Sequence, residues 1–151
     1  MTADKLPLTR FYPLESPDKD RAVCKVCQQY FEEGHRVFIL TNDDVQSRNL
    51  DTMLWTYRQE SFIPHEIIDE STYSVDVPVV LSTHESNRFD SQILIIAKDV
   101  SEQDIHFYRS FNTIIDFADK WDEILLTKSR QRYKFFHDLG FTMQMADSLP
   151  F

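Results

Sequence analysis

The stretch Arg36-Val-Phe-Ile-Leu-Thr41-Asn-Asp-Asp44 joins a short apolar run directly to a helix-capping sequence. A continuous apolar run of this length is typical of a strand buried on both faces of a sheet. The side chains of Asn42-Asp43-Asp44 can accept hydrogen bonds from the first free N–H groups of a helix, which we predict to run to about Thr56. The stretch therefore predicts one strand–helix unit of a parallel sheet.

The segment before it predicts a second unit of the same kind. Phe11-Tyr12-Pro13-Leu14 is predicted to end a first strand, and Ser16-Pro17-Asp18 is typical of a helix start, with Ser as N-cap and Pro in the first turn. Helical spacing continues from Asp20 to Glu33, and Gly34 is placed to end the helix. Two successive strand–helix units indicate a parallel sheet covered by helices on both faces.

The rest of the chain extends this pattern. Apolar segments rich in branched residues predict further strands at Ile63–Ile68, Val77–Ser82, Gln92–Ala97 and Thr113–Phe117. A short helix is predicted over Asp104–Phe111 and a long one over Trp121–Leu139. We therefore predict one domain over residues 1–151 with an α/β fold: a three-layer α/β/α sandwich with a mainly parallel, Rossmann-like sheet. The polar loop between Val77–Ser82 and Gln92–Ala97 leaves room for one antiparallel pair.

Composition limits the classes of function. The chain has 151 residues, of which 42% are hydrophobic, and this excludes a disordered protein. Its net charge of -9 argues against strong direct binding to nucleic acid, which requires many cationic contacts to phosphate. No apolar run approaches the ~18–20 residues needed to span a membrane, and the first residues contain no apolar signal region. We expect a cytoplasmic protein without a membrane partner.

Glycine usage argues against a nucleotide site. The chain contains only two glycines, Gly34 and Gly140, and both are predicted to end helices. A phosphate-binding loop requires glycines where the backbone approaches the phosphate closely. The first strand instead leads into Pro13-Leu14-Glu15-Ser16-Pro17, which has no glycine and carries a carboxylate. We expect a Rossmann-like sheet without a phosphate loop, and no cofactor.

No catalytic constellation stands out in the sequence. The five histidines are scattered without the spacing of metal ligands, and no Gly-x-Ser-x-Gly motif is present. Cys24 and Cys27 lie inside a helical pattern without a second cysteine pair, so we expect two reduced thiols rather than a zinc or redox site. We predict no catalytic residue and no metal site. The alternative is a degenerate α/β hydrolase that acts on an acidic substrate through the basic last helix.

The last helix concentrates positive charge in an acidic chain. Residues 128–134 contain four of the sixteen basic residues. Helical spacing places two of them, Arg130 and Lys134, on one outward face together with Tyr133 and His137. The face is either a solvated surface suited to a helix C-terminus or a clamp for one anionic group, such as a carboxylate. Lys128 and Arg132 point toward the packed side, where each would extend to solvent or pair with a carboxylate.

Large apolar side chains are concentrated at the end of the second helix and in the connection after it. Leu50 and Leu54 are expected to pack under the sheet. A helix end and the loop after it cannot bury so many large side chains on one inner face. We therefore expect three of them to stay exposed: Trp55, Phe62 and Ile63. Because aromatic residues are enriched in the cores of interfaces, we predict that these three side chains contact a protein partner.

A set of motifs in a fixed order along the chain carries a family resemblance. They are Phe11-Tyr12, Leu50-Asp51 through Leu54-Trp55, Glu60-Ser61-Phe62-Ile63-Pro64-His65, Asp116-Phe117, and Arg130-Gln-Arg132-Tyr133-Lys134 followed by Gly140-Phe141. Together they resemble the chi subunit of the bacterial DNA polymerase III clamp-loader assembly, over nearly the whole chain. The family has no catalytic activity of its own, so the resemblance implies a non-enzymatic adaptor of the replisome.

The resemblance also implies partners and sites. Family members join the psi subunit and bind the acidic C-terminal tail of single-stranded DNA-binding protein (SSB), and some pair with a DinG-like helicase through the psi surface. The implied psi or helicase surface comprises Trp55, Phe62, Ile63 and Pro64. The implied SSB-tail site comprises Arg130, Tyr133 and Lys134, with Ala118 lining its apolar pocket. Residues 118–127 depart from the family pattern, and alignment there needs an insertion, so the resemblance assigns no role to Leu126 or Lys128.

The end of the chain has the chemistry of an SSB tail. Asp147-Ser148-Leu149-Pro150-Phe151 places an acid before Leu-Pro-Phe and a terminal carboxylate. One interpretation is a frayed polar end, as termini commonly are. The other is a self-contact, in which this tail occupies the Arg130/Tyr133/Lys134 pocket of its own molecule or of a neighbour.

Overall fold

A single parallel sheet organises the protein. A computed structural model of the chain describes residues 5–56, 62–99 and 104–150. In chain order the elements are β1 (Leu8–Leu14), α1 (Lys19–Glu32), β2 (Val37–Leu40), α2 (Asp44–Thr56), β3 (His65–Ile67), β4 (Val79–Ser82), β5 (Ile93–Ile96), α3 (Ile105–Arg109), β6 (Thr113–Asp119), α4 (Glu123–Asp138) and β7 (Thr142–Met145). Within the described residues, seven strands pair in the order β3-β4-β2-β5-β6-β1-β7. Every pairing is parallel, which confirms the predicted α/β fold.

Helices cover both faces of this sheet, and each face has its own buried core. On one face α1 and α2 pack on the sheet, and the core between them includes Tyr12, Leu14, Val23, Leu50 and Ile115. On the other face α3 and α4 pack over a core that is rich in phenylalanine, including Phe11, Phe38, Phe107, Phe111 and Phe136. Because successive strand residues alternate between faces, neighbours such as Phe11 and Tyr12 belong to different cores. No helix of the described residues is long and apolar enough to cross a membrane.

Two predictions about the fold are wrong, and one strand was not predicted. The antiparallel pair does not form: β4 and β5 lie on either side of β2, and both run parallel to it. The first helix begins at Lys19 with Asp18 as N-cap, later than the predicted start at Ser16-Pro17. The edge strand β7 was not predicted, because its half-exposed Thr-Met-Gln-Met sequence has neither an apolar run nor branched aliphatic residues.

The last helix lies close to its predicted bounds, and its first turns are exposed. The carboxylate of Asp122 caps the N-terminus of α4 by accepting the N–H of Leu125 at 2.9 Å. Gly140 follows the C-terminus at φ 83°, a conformation that favours glycine. Ile124, an apolar residue in its first turn, is 70% exposed. The buried residues of α4 begin only at Ser129, so its first turns lie outside the packed region.

Candidate functional site

An apolar pocket lies between α4 and the strands β6, β1 and β7. Its volume is about 440 Å³, and it is lined by Phe11, Ala118, Lys120, Leu126, Ser129, Arg130, Tyr133 and Met145. Ala118 was expected in this pocket from the family resemblance, together with Arg130 and Tyr133. The structure brings these three side chains to one site.

The pocket walls follow from strand register. Phe11 of β1 lies opposite Asp116 of β6 and Met145 of β7, so all three side chains are on the α4 face of the sheet. The ring of Tyr133 packs against Phe11 with centroids 5.3 Å apart at an angle of 57°. Tyr133 also stacks on His137, with centroids 6.5 Å apart. The wall is therefore built from rigid aromatic and aliphatic groups.

Two cationic side chains border this apolar pocket. Arg130 projects from α4 and Lys120 from the turn after β6, and both residues are exposed. Within residues 5–56, 62–99 and 104–150 neither side chain forms an ion pair. The pocket therefore combines an apolar interior with positive charge that the described part of the chain leaves available to a ligand.

Lys134 takes a different position from the one predicted. It does not line the pocket, and its Nζ lies 2.6 Å from Oδ2 of Asp138, one turn further along α4. The hydrogen bond from Lys134 holds the pKa of the Asp138 carboxyl below its usual range. Lys134 is thus on the same helix face as Arg130 but is engaged with its own helix.

Buried polar groups hold α4 against the sheet beneath the pocket. The Arg132 guanidinium bonds both oxygens of Asp116, with Nε 2.7 Å from Oδ2 and Nη2 3.1 Å from Oδ1. It also donates to the carbonyl oxygens of Phe117 and Asp99. The hydroxyl of Ser129 accepts the backbone N–H of Asp119 at 3.1 Å. The prediction that Arg132 faces the packed side is confirmed, and these contacts fix the helix that carries Arg130 and Tyr133.

A second surface lies beside β3. Trp55 at the end of α2 is 49% exposed and Phe62 is 66% exposed, and their ring centroids are 5.3 Å apart. The ring of Trp55 also packs on His65 at 4.4 Å. His65 is buried, with Nδ1 2.6 Å from the carbonyl oxygen of Ile63 and Nε2 3.0 Å from that of Asp51. Trp55 and Phe62 therefore form an exposed aromatic pair on a fixed support.

Ile63 does not belong to this exposed surface. Its side chain is 1% exposed and lies in the core on the α1 face of the sheet. The prediction that Ile63 contacts a partner is wrong, because its side chain is enclosed in this core. Pro64 is half-buried beside it. The motif residues Glu60 and Ser61 lie outside the described residues.

The aromatic pair and the pocket are at opposite edges of the sheet. Trp55 and Phe62 adjoin β3, the first strand in spatial order, whereas Met145 of the pocket belongs to β7, the last. Neighbouring strands are about 4.8 Å apart, so six steps separate the two edges by about 29 Å. The two surfaces are thus far enough apart for separate protein partners.

Residues 147–150 do not line the pocket of their own molecule. Asp147, Ser148 and Leu149 line a different cleft, together with Leu14 and residues of α1. Leu149 packs against the core on the α1 face, on the other side of the sheet from Tyr133. Residues 147–150 therefore do not make the expected same-molecule contact, and Phe151 lies outside the described residues. Contact with a neighbour's pocket stays a prediction.

Sequence reasoning did not find several pocket residues. Phe11, Lys120, Leu126 and Met145 all line the pocket but were not assigned to it. For Lys120 the usable signal was its position just after the strand that carries Asp116 and Ala118. For Met145 no signal was available, since the strand that carries it was not predicted.

The described residues offer little for metal-dependent chemistry. Within the described ranges no group of three or more His, Cys, Asp or Glu side chains is arranged to hold a metal ion. Cys24 and Cys27 are both buried and free. Burial raises the pKa of the Cys24 thiol to about 12, so it is protonated at neutral pH.

Comparison with known proteins gives one consistent result. The family model described as "DNA polymerase III chi subunit, HolC" matches residues 7–144. The chain is 28% identical over 127 residues to DNA polymerase III subunit chi of Escherichia coli (strain K12), which covers 84% of each chain. It is 23% identical over 137 residues to the subunit of the same name from Pseudomonas aeruginosa, covering 89% of this chain and 92% of that one. The Haemophilus influenzae subunit chi is 28% identical over 115 residues, covering 76% and 77% of the two chains.

Proposed function

The chain belongs to the DNA polymerase III chi subunit family, accessory subunits of a replicative polymerase, and on that premise we propose that it is a non-catalytic adaptor. It joins the psi subunit of the clamp loader to the acidic C-terminal tail of SSB. A DinG-like helicase is an alternative partner for the psi surface. The observation that carries this proposal is the apolar pocket bordered by Arg130 and Lys120.

The pocket suits a peptide that ends in an aromatic residue. The terminal ring would enter the space between Phe11, Ala118 and Tyr133, where it would lose contact with water. The terminal carboxylate is joined to the same residue, so it would lie at the pocket mouth near the guanidinium of Arg130. Charge-assisted hydrogen bonds of this kind are stronger than neutral ones and favour a free carboxylate over an amide.

The charge of the whole protein supports a local site over general attraction to polyanions. With a net charge of -9, the molecule as a whole repels DNA and acidic peptides alike. Binding to an acidic tail must then come from short-range contacts in the pocket. We expect roughly micromolar affinity for such a short peptide, about -8 kcal/mol. Added salt should weaken it, because the charges involved are exposed.

Trp55 and Phe62 support the second half of the proposal. They form an exposed aromatic pair, the type of feature that often dominates the energy of an interface. Lying at the opposite edge of the sheet from the pocket, they leave the SSB-tail site open when psi or a helicase is bound. Pro64 lies beside them, half-buried.

A peptide titration tests the SSB-tail site. The full chain is titrated with an acidic peptide ending in Pro-Phe, once with a free carboxylate and once amidated. We expect the free-acid peptide to bind more tightly and Arg130→Ala to weaken it by about tenfold or more. His137→Ala is the matched control, because His137 is exposed on the same helix but does not line the pocket. Equal effects of the two variants, or equal binding of both peptides, would contradict the carboxylate site.

A further inference from the structure

The second cation of the peptide site is a lysine outside α4. We propose that Lys120 binds the terminal carboxylate together with Arg130, and that Lys134 takes no direct part. This rests on the proposed function, because it assigns residue roles within the same pocket. It differs from the assignment that the sequence motif implies, in which Lys134 accompanies Arg130.

Lys120 reaches the pocket from the end of β6. Asp116 and Ala118 are two residues apart in this strand, so they project from the same face of the sheet, and Lys120 follows in the turn after it. Asp116 contacts Arg132 of α4, and Ala118 lines the pocket floor, which identifies this as the α4 face. The backbone N–H of Lys120 donates to the carbonyl oxygen of Leu14 at 2.9 Å, which ties the residue to the end of β1. Its backbone is therefore fixed, and its side chain lines the pocket.

The helix itself supplies only one charge to the pocket. The residues of α4 that line it are Leu126, Ser129, Arg130 and Tyr133. Leu126, one turn before Arg130, is apolar and extends the wall that would receive the ligand's ring. A second positive charge therefore has to come from another element, and Lys120 is the lysine that lines this pocket.

Lys134 lies away from the pocket, and its ammonium group is already paired with Asp138. Successive helix residues are separated by 100°, so Lys134 lies 40° beyond Arg130 and about 80° beyond Leu126, on the flank away from the pocket centre. Its ammonium group is 2.6 Å from Asp138, which neutralises it locally. Recruiting Lys134 for a carboxylate ligand would require breaking that contact and leaving Asp138 unpaired near an acidic peptide.

Paired substitutions separate the two lysines. Lys120→Met and Lys134→Met each remove the charge and keep an apolar side chain of similar length. Both are titrated with the free-acid and amidated peptides. We expect Lys120→Met to weaken the free-acid peptide by about tenfold, as loss of a charged hydrogen bond does, and to leave the amidated peptide unchanged. Lys134→Met should change either affinity by no more than about twofold, as for an exposed pair. Lys120→Arg should restore binding, since it restores the charge.

The outcomes distinguish this inference from the proposed function. If Lys134→Met weakens the free-acid peptide as much as Lys120→Met does, or Lys120→Met has no effect, the assignment of Lys120 is overturned while the peptide site stands. If the wild-type chain binds neither peptide, the proposed function falls and the assignment falls with it.

Discussion

The guanidinium of Arg132 on α4 and the carboxylate of Asp116 in β6 form a buried ion pair joined by two hydrogen bonds, 2.7 and 3.1 Å long. Both side chains are almost completely buried. Burial raises the pKa of Asp116, and Arg132 acts against that rise by stabilising the charged carboxylate. Asp116 in turn raises the pKa of Arg132 despite its burial. The pair therefore connects the helix of the peptide pocket to the sheet.

Removing one partner of this pair should be costly. Arg132→Met leaves Asp116 buried without its countercharge, and such losses cost about 3–5 kcal/mol. For a chain of this size each kcal/mol lowers Tm by about 2–4 °C, so we expect a fall of roughly 10 °C. Differential scanning fluorimetry measures this directly. The matched control is Lys134→Met, which breaks an exposed pair on the same helix and should hardly change Tm. A wild-type Tm for Arg132→Met would contradict a structural role for the pair.

Phe62 and Ile63 are adjacent in sequence but should respond in opposite ways to truncation. Phe62 is 66% exposed, so Phe62→Ala should keep the wild-type Tm and lose on the order of 2 kcal/mol or more of binding to psi or the helicase. Ile63 is buried, so Ile63→Ala should lose about 2–5 kcal/mol of stability through the cavity that it leaves. Thermal melts and pull-downs of both variants test this. A strongly lowered Tm for Phe62→Ala would show that it is a core residue.

The two cysteines should be inert in the folded protein. Burial raises the pKa of both thiols, that of Cys24 to about 12, so neither is a thiolate at pH 8. We expect no reaction with a thiol reagent such as DTNB at pH 8 under native conditions, and reaction of both thiols in guanidinium chloride. Rapid labelling of the native protein, or a disulfide between Cys24 and Cys27, would contradict this.

The chain end should contribute to stability and not to peptide binding. Deletion of Leu149–Phe151 removes the contact of Leu149 with the core on the α1 face, so we expect Tm to fall by a few degrees. Affinity for the SSB-tail peptide should be unchanged, because residues 147–149 line a different cleft. Tighter peptide binding with reduced self-association would instead show that the tail competes for the pocket of a neighbouring molecule. Sedimentation velocity and peptide titration measure the two effects.

The sequence predicted best those features that depend on local periodicity. Arg132 could be placed inside and Arg130 outside because both lie on one regular helix with a fixed angular step. The antiparallel pairing of β4 with β5 does not form, because β2 lies between these two strands. Strand order is a long-range property, and nothing local in residues 83–92 indicates it. Family membership was predictable from motif order and is confirmed by the match over residues 7–144.

Individual site residues were less predictable. Ile63 was placed with its neighbour Phe62, since composition alone does not show which of two adjacent residues points inward. Lys134 was assigned to the site from the family motif, which does not account for its contact with Asp138. Lys120 was overlooked because it follows a strand whose end could not be located from the sequence.

Bridging of the two partners is the most direct test of the adaptor function. Immobilised psi subunit from the same organism is incubated with SSB, with and without this chain, and retained SSB is measured. We expect SSB to be retained only when the chain is present, to be lost with Arg130→Ala while the chain itself stays bound to psi, and to be lost together with the chain for Phe62→Ala. Retention of SSB with Arg130→Ala, or displacement of the chain from psi when SSB is added, would contradict an adaptor with two separate surfaces.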